Sequence, residues 1–238
     1  RTAVQPSDPP VDPPADPPAN PPSGPAPSDY SGNLPAAPTI EVRDGKAVAK
    51  IGTDSVTVNN GNVGIAIDEE IITKAFEMLG SSTSGAQVVS VALPVIDHAQ
   101  SYAVGIPSKF LANSGATRQI EIVTQFGTLL LPGNMLANLD LTDSQDMITV
   151  SIARASFPEN ASIRGQVRFA IELHVASGQD ALNFNHPGVF VEVRIPYSAS
   201  GDERDNREFW NVWYVNDQGE AELVRRAEYD ADAGRSEE

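Results

Sequence analysis

A mainly β fold is predicted for this chain of 238 residues: an antiparallel, sandwich-like arrangement with short inserted helices. Two kinds of pattern predict it. Stretches that alternate apolar and polar residues far outnumber stretches with helical spacing, and glycine- or asparagine-bearing turns separate them. In addition, residues 101–152 carry nearly the same message twice. The first copy is Ile106-Pro107-Ser108-Lys109-Phe110-Leu111-Ala112-Asn113, followed by the alternating run Arg118–Thr124. The second is Leu131-Pro132-Gly133-Asn134-Met135-Leu136-Ala137-Asn138, followed by Met147–Ile152. Each reads as a strand halted by proline, one helical turn, a loop and a fresh strand. Proline cannot donate to a β-ladder and suits the first turn of a helix, so it is apt at such a switch. Gln125-Phe126-Gly127-Thr128 connects the copies as a hairpin. The expected result is two similar half-units packed together around one core.

Residues 1–38 form a different kind of sequence. Asp-Pro-Pro recurs at Asp8, Asp12 and Asp16, and Asn20-Pro21-Pro22 closes the series at the same step. Adjacent prolines favour polyproline II, so residues 6–26 are expected to span about 60 Å. With no apolar face to bury, this stretch is a disordered Asp/Pro-rich linker, and residues 39–238 form the globular module.

Within the module, Thr39–Val42 and Ala47–Ile51 flank Asp44-Gly45, a hairpin signal, and Ser55–Val58 precedes the turn Asn59-Asn60-Gly61. One helix stands out. Asp68 is placed to cap it, Glu69 and Glu70 suit its first turn, and Ile71, Ile72, Ala75, Phe76 and Leu79 form its apolar stripe before Gly80. Gln87–Leu93 is the next strand, so residues 63–93 loosely repeat the strand–helix–strand grammar. Further along, Gln166–Val175 and Val189–Ile195 alternate as half-buried strands. Phe209–Val215 and Ala221–Val224 flank Asn216-Asp217-Gln218-Gly219 as a hairpin.

Composition excludes several functions. A net charge of −16 and pI near 4.4 oppose nucleic-acid binding and docking on anionic membranes. The absence of cysteine removes disulfides, zinc–thiolate sites and thiol nucleophiles. No apolar run reaches membrane-spanning length. Arg1 is not an initiating methionine, so the chain is expected to belong to a longer product.

No catalytic or cofactor-binding set emerges. His98, His174 and His186 lack zinc spacing, and no Gly-x-Ser-x-Gly elbow or phosphate-binding glycine loop occurs. Asp140, Asp143 and Asp146 could supply oxygens to calcium from one loop, though outside the EF-hand register. A solvated acidic loop is the plainer reading. Trp210, Trp213 and Tyr214 are the densest aromatic group. On a strand Trp213 points opposite to Trp210 and Tyr214, so one face could pack and the other present a platform to a glycan or partner.

These residues also carry a resemblance. Ile120–Thr128 with Leu131-Pro132 and Leu136-Ala137 resembles a β-rich module of exported surface proteins of Gram-positive bacteria, often found ahead of S-layer-homology repeats. Val189–Tyr197, Val212–Val224 and Tyr229–Arg235 share the likeness, which covers about Ser101–Gly234 and is looser over Thr39–Pro94. The resemblance implies a non-catalytic extracellular structural or spacer module, associated with the cell surface and partnered by neighbouring modules of the same polypeptide. The alternative is an accessory module of a secreted polysaccharide-degrading enzyme, binding cell-wall or extracellular glycan. The family brings no catalytic or ligand-binding residues with it. Members usually continue into a last strand ending in a Thr-x-His-Phe-Ser-like segment, whereas this chain ends at Arg235-Ser236-Glu237-Glu238 and holds no S-layer-homology repeat. Either the tail has diverged or the chain is a fragment, the reading favoured here; a missing last strand would leave an edge open to strand addition.

Overall fold

The computed structural model describes residues 38–80, 85–139, 141, 147–155, 169–182, 188–197, 211–215 and 220–224. Strands dominate it. One six-stranded sheet, sheet A, contains β1 (Thr39–Arg43), β2 (Lys46–Lys50), β5 (Gln87–Ala92), β7 (Gly115–Thr124), β8 (Gly127–Gly133) and β12 (Glu192–Arg194), in that spatial order. The second, sheet B, runs β11 (Asp180–Ala181), β10 (Ile171–Ser177), β9 (Met147–Arg154), β6 (Ser101–Pro107), β4 (Asn62–Ala66) and β3 (Thr57–Asn59). A separate hairpin pairs β13 (Trp213–Val215) with β14 (Ala221–Leu223).

The tight turns follow from local chemistry. Asp44 and Gly45 both have positive φ (49° and 75°), as do Asn60 and Gly61 (48° and 81°). Two consecutive left-handed residues match the twist of a two-residue hairpin, and Asn, Asp and Gly bear that conformation at least cost. Helix α1 (Glu69–Leu79) buries Ile72, Ala75 and Phe76, while Ile71 and Leu79 are half-buried. Gly80, at φ 66°, ends it by donating its N–H to the Glu77 carbonyl. The Asp68 side chain makes no capping hydrogen bond; its backbone carbonyl accepts from Ile71 and Ile72 instead. Asp68 is thus the N-cap by position and backbone, and its carboxylate contributes no cap.

The chain crosses between the sheets repeatedly, and three of the crossings are strand–turn–strand units. The units β4–α1–β5 and β6–α2–β7, with α2 at Ser108–Asn113, each leave sheet B and enter sheet A. The unit β8–turn–β9 makes the reverse crossing, and its residues 134–138 form turns rather than a helix. Because the first two units run in the same sense, β4 pairs β6 in parallel, and so does β5 with β7. β2 with β5 is also parallel. Strands consecutive in the chain that pair with each other are antiparallel, as expected, and the three parallel pairs join strands separated by others in sequence, which makes the sheets mixed.

The two proline strands exchange partners. β6 of the first copy pairs with β9, the strand that follows the second copy, placing Pro107 opposite Met147. β8 of the second copy pairs with β7, placing Pro132 opposite Gln119. The turns beyond the prolines then meet: Leu136 donates its N–H to the Leu111 carbonyl, and Ser114 to that of Gly133, both at 2.9 Å. Phe110, Leu111, Met135 and Leu136 are all buried there. Gly133 leaves no alternative at its position, since a Cβ would lie 2.7 Å from that of Ser114.

Facing rows of the two sheets form one core. Ala49, Val91, Ile122, Leu129 and Val193 lie across sheet A in register. Ile65, Val104, Val150 and Val175 do so across sheet B. All but Ala49, which is buried beside them, belong with Ile72 and Phe76 of α1 to a single apolar cluster or pack against it. Phe76 stacks on Phe110 at 5.7 Å, so the helices of successive units meet inside it.

Several predicted strands are shorter than their alternation. The strand expected over Gln166–Val175 is seen as Ile171–Ser177, with 166–168 outside the described residues. That expected over Val189–Ile195 pairs only at Glu192–Arg194. Ser55 falls in a 3-10 turn, and the strand begins at Thr57.

Leu111→Ala should cost about 2–4 kcal/mol, because the buried side chain closes the seam between the two turns. Asn113→Ala, at an exposed position of the same helix, should change stability by no more than about 0.5 kcal/mol. Urea unfolding of both variants checks this, and equal losses would count against the seam.

Candidate functional site

Away from the core, the outer face of sheet A gathers charge around a single carboxylate. Alternation along β7 turns Ile120 and Ile122 inward and Glu121 outward. Register then places Glu41, Val48, Ser90, Glu121, Leu130 and Glu192 in one row across the six strands. The neighbouring positions bring in Lys46 from β2 and Arg194 from β12. Lys46 Nζ donates to Glu121 Oε1 at 2.9 Å, and Arg194 Nη1 donates to the same oxygen at 3.3 Å. Arg194 Nε also donates to Glu192 Oε1 at 2.7 Å, and the Ser90 hydroxyl completes the set around Glu121.

Glu121 retains only 7% of its side-chain exposure, although it stands on the outward face of the sheet. Burial alone pushes its carboxyl pKa up. Hydrogen bonds from Lys46 and Ser90, and the positive charges of Lys46 and Arg194, outweigh that and hold it below the ordinary carboxylate range. It is therefore an ion at neutral pH, fully engaged, and unsuited to proton transfer near neutrality. What the cluster can do is tie strands together: β2, β5, β7 and β12 all supply a group to it.

Among the described residues, Tyr102 is the other buried ionisable group. Its hydroxyl donates to the Pro94 carbonyl at 3.0 Å and accepts from the Ile96 N–H at 3.2 Å, while its ring meets Phe126 edge-on. Burial pushes its pKa up, so it remains a neutral pin for the β5–β6 connection.

The residues singled out from sequence are not brought together. Asp140, Asp143 and Asp146 lie outside the described residues, as do Trp210 and His186. His98 occupies an exposed turn at φ 62°, and His174 is an exposed partner of Glu172 at 2.8 Å. Trp213 pairs across the hairpin with Leu223, and Tyr214 with Glu222, so the two rings point to opposite faces. They retain 41% and 62% of their exposure. Among the described residues no group of three metal-ligating side chains converges, and no helix is long and apolar enough to cross a membrane. An apolar recess of about 10 Å³ between Ile51, Ile65, Ile67, Ile71 and Val91 has room for about one water, and no ionisable side chain lines it.

Sequence reasoning missed Glu121. A charged residue between two isoleucines on an alternating strand reads as an ordinary solvent-facing position. Its cationic partners are 75 and 73 residues away, on strands whose neighbours are fixed only by the sheet order.

Glu121→Gln should lower stability at pH 7 by about 1–2 kcal/mol, because both cations lose the charge they surround. Since the folded pKa is depressed, this contribution is full above the unfolded carboxyl value of about 4.3 and is lost as pH falls through the lower folded value. Wild type and variant should therefore converge in acid; a constant gap from pH 7 downward would contradict the linkage. For the aspartate loop, scanning calorimetry with calcium and with chelator is decisive, and an unchanged transition removes Asp140, Asp143 and Asp146 as ligands.

Comparisons with family models, curated proteins and solved structures give no match to this chain.

Proposed function

We propose that the chain is a non-catalytic structural or spacer module of a bacterial cell-surface protein, extracellular and S-layer-associated, carried on its proline-rich segment. The observation that carries this reading is the use to which charge is put. The one carboxylate buried in the described sheets is consumed in cross-strand ties, and crossing units bind both layers around a single core. That is an arrangement for holding shape. The repeated Asp-Pro-Pro segment supports it by offering reach and solubility. The resemblance of Ile120–Pro132 and Val189–Tyr197 to modules of exported Gram-positive surface proteins supports the location. Partners on this reading are the neighbouring modules of the same polypeptide.

A second reading is favoured by one feature. Trp213 and Tyr214 keep much of their surface in water, and Tyr214 stands beside Glu222 on one face of its hairpin. An aromatic face next to a carboxylate can stack on a sugar ring and accept its hydroxyls. An accessory glycan-binding module of a secreted polysaccharide-degrading enzyme would use it so.

The absence of cysteine makes a clean distance measurement available. Dyes at Gln5→Cys and Ser28→Cys should report about 70 Å if the segment is a stiff polyproline spacer, against about 25 Å for a flexible coil of that length. The shorter value would refute the spacer. Retention on insoluble glycans, lost in Tyr214→Ala or Trp213→Ala, would transfer the proposal to the second reading.

A further inference from the structure

The last strand of sheet A is held differently from the rest. β12 contacts β8 through three residue pairs, Glu192 with Leu130, Val193 with Leu129 and Arg194 with Thr128. Three pairs at a sheet edge are few for a strand to stay in place by its ladder alone. Val189, Val191 and Val193 pack against the core beneath it, and Arg194 adds two contacts of its own. Its carbonyl lies over Gly127, so close that a Cβ there would come within 2.8 Å of the oxygen. Its guanidinium passes outward over the sheet to Glu121 and back to Glu192 on its own strand.

We propose that the Glu121–Arg194 pair is an electrostatic clasp, and that β12 is an element that opens from sheet A separately when the clasp is broken. The inference goes beyond the spacer reading and does not depend on it. Groups facing Glu121 come from three other strands: Lys46 on β2, Ser90 on β5 and Arg194 on β12, with Glu192 behind the last. Of these, only Arg194 reaches across from β12. Lys46 holds Glu121 in place and ionised from the opposite side, on a strand that is paired on both edges. Breaking the contact to Arg194 therefore frees an edge strand, whereas breaking that to Lys46 leaves β12 attached. Val193 lies in the inner row beside Leu129, so opening of β12 would uncover that part of the core.

Hydrogen exchange followed on peptides of the full chain tests this at pH 7. Arg194→Ala should speed exchange over residues 189–197 by about fivefold, the size expected for a half-exposed charged hydrogen bond. β7 and β8 should change less than twofold in that variant, whereas Glu121→Gln, which also removes the tie to Lys46, should speed 189–197 at least as much and the core strands with it. Lys46→Ala should leave 189–197 at the wild-type rate. Arg194 and Lys46 are partly exposed, so both variants retain the core on which folding rests. Uniform acceleration across all strands in Arg194→Ala, or equal loosening of 189–197 in Lys46→Ala, would overturn the clasp. Wild-type exchange in Arg194→Ala would do so too.

Discussion

The constraint on which the fold depends is that each strand–turn–strand unit must change layers. A proline gives its strand no ladder donor, and the chain turns inward at it or one residue beyond. In the two matched units, Pro107 and Pro132 mark that point, and the backbone beyond each one seats a pair of large apolar side chains in the interior. Leu111 and Leu136 are joined by a backbone hydrogen bond, so the two turns satisfy polar groups that would otherwise be buried alone. Once the two turns are locked together, the strands on either side have few choices of neighbour.

The exchange of partner strands follows from this. Each proline strand finds the outgoing strand of the other unit, so neither unit has a complete sheet of its own. The earlier unit, β4–α1–β5, then adds in parallel to both sheets at once. Its helix brings Phe76 to Phe110 and thereby joins the same interior. Sheet A needs an additional arrangement on its outward face, where a glutamate, a lysine and an arginine from three strands replace the apolar contacts that the inner face enjoys.

Legibility in the sequence tracked the range of the interaction responsible. Asp44-Gly45 and Asn60-Gly61 announce their turns because positive φ is a property of those residues themselves. The stripe of α1 is equally plain, since helical spacing acts within a few turns. The β-rich class followed from alternation in the same local way. By contrast, the three parallel pairings could not be read, because direction depends on which sheet a crossover enters. β10 and β12 are displaced or shortened relative to their alternation, since only pairing with β9 and β8 decides where a ladder begins. Glu121 was hidden for the same reason: its burial is created by residues on β2 and β12, not by its neighbours in the chain.

The exchanged pairing also bears on how the chain reaches this state. Tyr102 must wait for Ile152, fifty residues later, before its strand has both neighbours. Contacts so distant along the chain make closure slow, because loop entropy is spent before burial repays it. During synthesis the isoleucines and leucines of β6, β7 and β8 would stay open to water until β9 has emerged. For this architecture the vulnerable moment is the interval before that strand arrives.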